Sequence, residues 1–281
     1  MNLTKVLFDA TDKLPLSGLL YNPDTKTDKV VIFIHGIHSN CLKKKDDVFG
    51  EELTNNNVAY FTFNNRGANT VTKINGKFYG AAYEDPKECI YDIDGAIDEM
   101  KSRGFTKIHI LGHSLGSSKV LYWYKNAKEH NVETVGFLSL VDMNGITRAM
   151  LGQKYDIMMQ KLMGMAPETL IPPEALENIS ILPLSVKTFK NIFVDEDFNL
   201  ISYIPGNVNV TNIDNIKEPV FIRFATINEF LIDTAPNTVQ IIMSKLNKNN
   251  IDISYIDNAD HSYHGREKEL IDGYIRFICG R

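Results

Sequence analysis

"HILGHSLGSSKV", residues 109–120, runs from an apolar stretch into a glycine-flanked serine and straight out into a helix-forming segment. Ile108, Ile110 and Leu111 read as the end of a buried strand, and Val120 and Tyr124 stand four apart, as one face of a helix requires. Gly112 to Gly116 are left as the turn, with the helix running from Ser117. So tight a strand-to-helix turn strains its central residue and presses backbone against backbone, which glycine alone tolerates at the flanks. The pattern G-x-S-x-G is short enough to arise by chance; the strand before it and the helix after it give it weight. Ser114 is therefore a candidate nucleophile.

Working outward, short β-rich runs alternate with helical patterns. Strands are predicted at 30–34, 58–63, 107–111, 134–141 and 219–224, with helices near 46–55 and 86–103 between them. The second helix carries Ile90, Ile93, Ile97 and Met100 on one face, with Pro86 near its start. Such alternation argues for crossover units and a parallel sheet. Residues 5–8 and 16–21, joined by a polar turn, read as an antiparallel hairpin at its edge; 251–256 alternates like a half-exposed strand, and 267–278 closes as an amphipathic helix.

Between 142 and 217 the alternation stops, with Pro167, Pro172, Pro173, Pro183 and Pro205 as punctuation. That is too long for a plain connection, so 1–141 and 218–281 are read as one α/β core and 142–217 as a helical cap insert. Six of the nine methionines fall at 143, 150, 158, 159, 163 and 165. They suit either an adaptable lid over an apolar pocket or the ordinary core of a helical insert.

At 281 residues and 43% hydrophobic, the chain has ample material for a large core. A net charge of −5 leaves no electrostatic footprint for nucleic acid or an anionic membrane. Lys43-Lys44-Lys45 is answered at once by Asp46 and Asp47 and reads as a solvated helix face. Cys41, Cys89 and Cys279 are odd in number, far apart and without C-x-x-C spacing, which suggests reduced thiols rather than a disulfide framework or a zinc site. No secretory leader and no apolar run of membrane length is evident, so a soluble cytoplasmic protein is expected. No glycine-rich nucleotide fingerprint implies an organic cofactor.

Four stretches together resemble the α/β-hydrolase superfamily: the turn at Ser114, "HGIHSN" at 35–40, "FNNRGANT" at 63–70 and "ADHSYHG" at 259–265, in that superfamily's order along the chain. "GKFYGAAYED" at 76–85 and "LPLSVKTFKNIF" at 182–193 look like its esterase-like branch, which includes siderophore esterases. The resemblance implies a mostly parallel sheet of about eight strands with helices on both faces. It makes Ser114 the nucleophile and His261, after the Ala259-Asp260 step, the histidine that takes its proton. His264 is the rival, and an H-x-x-H metal pair is disfavoured by its spacing, so no metal is expected. Backbone N–H groups of Ile37 and Leu115 would form the oxyanion hole, with His35 shaping its loop. Arg66 is read as structural, with a substrate carboxylate as its other possible partner.

The acid breaks the pattern. After "PVFIRFA" at 219–225 the superfamily's aspartate is replaced by Asn228, which lacks the charge that stabilises imidazolium. Asn228 is the positional occupant; Glu229 next to it and Asp142 after an earlier strand are the alternatives. The leading reading is a serine hydrolase acting on an ester, lactone or thioester of a small acyl substrate. A weakened acid would favour an acyltransferase or amide-forming variant, and a non-catalytic ligand-binding member of the fold is the reading from another class.

Overall fold

The alternating pattern resolves into a single eight-stranded sheet. The computed structural model describes residues 1–177 and 179–280. Its strands are β1 (Asn2–Asp9), β2 (Pro15–Asn22), β3 (Lys29–Ile34), β4 (Ala59–Asn64), β5 (Lys107–His113), β6 (Thr134–Leu138), β7 (Val220–Ile227) and β8 (Ile251–Asp260). From edge to edge they run β1, β2, β4, β3, β5, β6, β7, β8. β1 and β2 form the predicted antiparallel hairpin, β2 pairs antiparallel with β4, and every later pairing is parallel.

Helices cover both faces, which is why "VVIFI" in β3 is apolar without interruption. Val31 and Phe33 meet Phe49 and Leu53 of α1 (Lys44–Asn55) and Leu270, Ile271 and Tyr274 of α9 (Glu267–Cys279). Val30, Ile32 and Ile34 face the opposite layer. There they join Ile93, Ile97 and Met100 of α2 (Cys89–Ser102), Val120 and Trp123 of α3 (Leu115–Asn126), and Val239 and Ile242 of α8 (Ala235–Lys245). Between β6 and β7 stand α4 (Met143–Leu151), α5 (Lys154–Met163), α6 (Val186–Phe193) and α7 (Thr211–Asp214). Met143, Met158, Leu162, Phe189 and Ile192 gather there into a third apolar cluster that also takes in Leu115, directly after the candidate nucleophile. No helix among the described residues is long and apolar enough to cross a membrane.

The structure departs from the sequence reading in five places. α3 starts at Leu115 rather than Ser117, because β5 continues to His113 and the turn is a single residue. β6 stops at Leu138, where Ser139 turns to φ 50°. Two elements escape the reading: a small hairpin of Thr72–Ile74 with Lys77–Tyr79, and α8. Both carried signals. Asn75-Gly76 has φ 50° and 83°, the pair a tight hairpin turn demands, and Thr234 caps α8 just ahead of Pro236. Finally, Lys43 and Lys44 are exposed as expected, but Lys45 turns inward, because it falls on the helix face of Phe49 and Leu53.

Candidate active site

Ser114 stands alone between β5 and α3 with φ 56° and ψ −127°, a conformation that costs a non-glycine residue energy. Two contacts hold it there. Its N–H donates to the Leu138 carbonyl at 2.9 Å, and the Ser117 hydroxyl donates to the same oxygen at 2.9 Å. A Cβ at Gly112 would lie 2.5 Å from the Gly116 carbonyl oxygen, and one at Gly116 would collide with that of Ile34, so both flanks must be glycine.

His261 lies beyond β8. Its Nε2 is 2.9 Å from Ser114 Oγ and its Nδ1 is 2.5 Å from Glu229 Oε1. The Glu229 side chain is 4% exposed and that of His261 17%. Glu229 Oε2 accepts from the Ser139 hydroxyl at 2.7 Å and the Ala225 N–H at 2.8 Å. The Tyr263 hydroxyl, 2.9 Å from Ser139 Oγ and from the Arg223 carbonyl, steadies that serine. Burial holds His113 well below the usual imidazole range and hence neutral, so its Nε2–H donates to the His261 carbonyl at 2.7 Å. The elbow thereby grips the histidine loop directly.

Asn228, the positional choice for the acid, is corrected by this geometry. It is exposed, and it makes no hydrogen bond to His261. Its φ of 52° swings the chain so that the following side chain, Glu229, points back at the imidazole, and the extra methylene of Glu spans the gap. Asp142 is not brought to the site either: it caps α4 through the Gly145 N–H at 2.7 Å and accepts the Tyr203 N–H at 2.8 Å. His264 is 74% exposed and pairs with Asp260 at 2.8 Å; it lines the same cavity as Ser114 but makes no hydrogen bond to it. Arg66 is locked to Asp12, Glu88 and Asp92 and does not line the cavity over Ser114. Ser139 and Tyr263 were not legible as neighbours of the acid; the one hint was the position of Ser139 at the end of a parallel strand.

Ile37 and Leu115, whose N–H groups the sequence reading assigns to an oxyanion hole, both adjoin Ser114. Leu115 opens α3, so its N–H precedes the helical ladder. The Ile37 N–H donates to nothing among the described residues, and neighbouring Gly36 packs so closely that a Cβ there would sit 3.0 Å from Ser114 Cβ. His35 Nδ1 bonds the Gly36 carbonyl at 2.9 Å; burial pushes its pKa down to about 3. A cavity of about 460 Å³ opens over Ser114, walled by Val141, Met143, Ile146, Ile192, Phe193 and Phe230. Two of the methionines, Met143 and Met150, line it, whereas Met158 packs inside the third cluster.

No protein-family model and no curated protein matches the chain. Solved structures do. GrgF, an α/β hydrolase from Penicillium sp. sh18, superposes with a TM-score of 0.67 at 15% identity, over 99% of this chain and 98% of that one. The siderophore hydrolase EstB from Aspergillus fumigatus gives 0.68 at 14%, over 99% and 97%. Est1E from Butyrivibrio proteoclasticus gives 0.66 at 18%, over 98% of each chain. The chain has the α/β-hydrolase fold, as its sequence resemblance implied.

Proposed function

We propose that this protein is a serine hydrolase that cleaves esters of small acyl compounds. Ser114 attacks the carbonyl carbon while His261 Nε2 takes its proton; the alkoxide leaves with that proton, and water attacks the acyl-enzyme by the same route in reverse roles. Glu229 orients the imidazole and stabilises its cation. The Ile37 and Leu115 N–H groups receive the developing oxyanion. Residues 142–217 act as the cap that shapes the acyl pocket. The observation that carries this reading is the continuous Glu229–His261–Ser114 hydrogen-bond chain beneath an apolar cavity. The similarity to a siderophore hydrolase and to an α/β hydrolase supports hydrolysis as the reaction class. Acyl transfer would gain from a weak base in deacylation, and a carboxylate on His261 removes that ground.

The test is intact-protein mass spectrometry during reaction with short activated esters, beside the rate of alcohol release. Wild type should release alcohol with an adduct that clears in water, and Ser114→Ala should show neither. An adduct that persists until an amine is added would replace hydrolysis by transfer.

A further inference from the structure

Lys45 lines the same cavity as Ser114 and His261, as do Lys43 and Lys44, and of the three it alone is drawn into the fold. It is half-buried, with Nζ 5.5 Å from the centre of the Phe33 ring. Among the described residues Nζ makes no hydrogen bond and no ion pair. The carboxylates around it are engaged elsewhere or stand off. Asp46 accepts the Tyr60 hydroxyl at 2.6 Å and the Lys43 N–H at 3.1 Å. Asp260 holds the His264 ring at 2.8 Å and the Ser262 and His264 N–H groups, each at 3.0 Å. Glu267 also lines the cavity and attracts Lys45 without pairing with it. Gly36, Lys45, His113 and Ser114 line one cavity, so the cation and the candidate nucleophile face the same ligand space.

Withdrawing an ammonium from water without a carboxylate in contact is costly; here burial outweighs the attraction of Asp46, Glu267 and Asp260 and draws its pKa down to about 8. The same cost becomes useful when a ligand brings a carboxylate into contact, because the cation has already shed much of its water and only the anion's own hydration is left to displace. The net charge of −5 gives the protein no general attraction for anions, so selection would have to be local. We infer that the site selects monoesters of dicarboxylic acids, with the apolar wall holding the hydrocarbon chain and Lys45 pairing with the free carboxylate. This specificity rests on the hydrolase reading above.

The test separates binding from turnover. Ser114→Ala protein is titrated at about pH 7, where Lys45 is protonated, with monomethyl esters from succinate to suberate and with the matching dimethyl diesters. At one chain length the monoester should bind roughly ten- to a hundredfold tighter than its neutral diester. Adding Lys45→Met should erase that ratio, and Lys45→Arg should keep part of it. Methanol release by the enzyme with Ser114 intact, with and without Lys45→Met, should shift in selectivity by the same factor. Equal binding of monoester and diester at every chain length, or a ratio unmoved by Lys45→Met, overturns the inference. Binding preference without methanol release would instead overturn the hydrolase reading, and release without preference would overturn only the role of Lys45. If Lys45→Met does not fold, the monoester and diester comparison in the Ser114→Ala protein still decides.

Discussion

Glu229→Gln is the most informative single substitution. Oε2 of Glu229 receives two donors, the Ser139 hydroxyl and the Ala225 N–H, and a backbone N–H cannot reverse its role. The glutamine amide NH₂ must therefore take the other position, facing His261 Nδ1. There it donates, so Nδ1 has to accept and the ring proton moves to Nε2, the nitrogen that must receive the proton of Ser114. Charge is lost as well. Unit charges about 4 Å apart at an effective dielectric of about 20 attract by about 4 kcal/mol. At about 1.4 kcal/mol per decade that approaches a thousandfold in rate, and the wrong tautomer adds to it. The expected result is a kcat for p-nitrophenyl acetate reduced by about 10³- to 10⁴-fold, with KM within about threefold. The comparison variant is Asn228→Gly, which suits the left-handed φ of 52° and should leave kcat within about twofold. Equal losses in the two variants, or a Glu229→Gln enzyme keeping more than about a tenth of its kcat, would refute the assignment of the acid.

Two further outcomes follow from the same packing. Ser139→Ala removes one of the two donors that fix Glu229 Oε2, loosening the carboxylate that orients His261, so kcat should fall roughly tenfold with KM little changed. A purely structural role for Ser139 would lower the melting temperature and leave the kcat of the folded protein unchanged. Stability should fall in acid because burial pushes His35 down to about 3, helped by the charge of Lys119, and His109 down to about 4. The unfolded chain binds those protons from about pH 6.5, so their contribution is present above that pH and is lost on the way down to the folded values. Each costs about 2 kcal/mol by about pH 5, which urea unfolding at about pH 7.5 and pH 5 measures. His109→Gln should recover its share, and equal stability at the two pH values would contradict the account.

Much of this was written in the chain. The elbow is legible because only glycine survives on either side of a one-residue turn, and the parallel sheet because strands covered on both faces lose their alternation. His261 over His264 followed from the Ala259-Asp260 step, and Asp260 indeed engages the rival histidine. That Glu229 rather than Asn228 meets His261 was not legible, since a left-handed φ at Asn228 redirects the side chain after it and no periodicity reports φ. Lys45 was legible and misread. Beside two exposed lysines it looks like surface, but it stands one helical turn before Phe49 and two before Leu53, on the buried face.

The left-handed Asn228 also bears on how such a loop could evolve. An aspartate placed at 228 would point its carboxylate at solvent, and an aspartate at 229 would fall short of His261 by one methylene. The arrangement seen here and one with the acid a residue earlier are thus separated by a peptide flip together with two side-chain changes. Only loss of Glu229 removes the carboxylate on His261, whereas an aspartate at 228 can arise while Glu229 still serves, so the path between the two loop designs runs through a loop that carries both carboxylates.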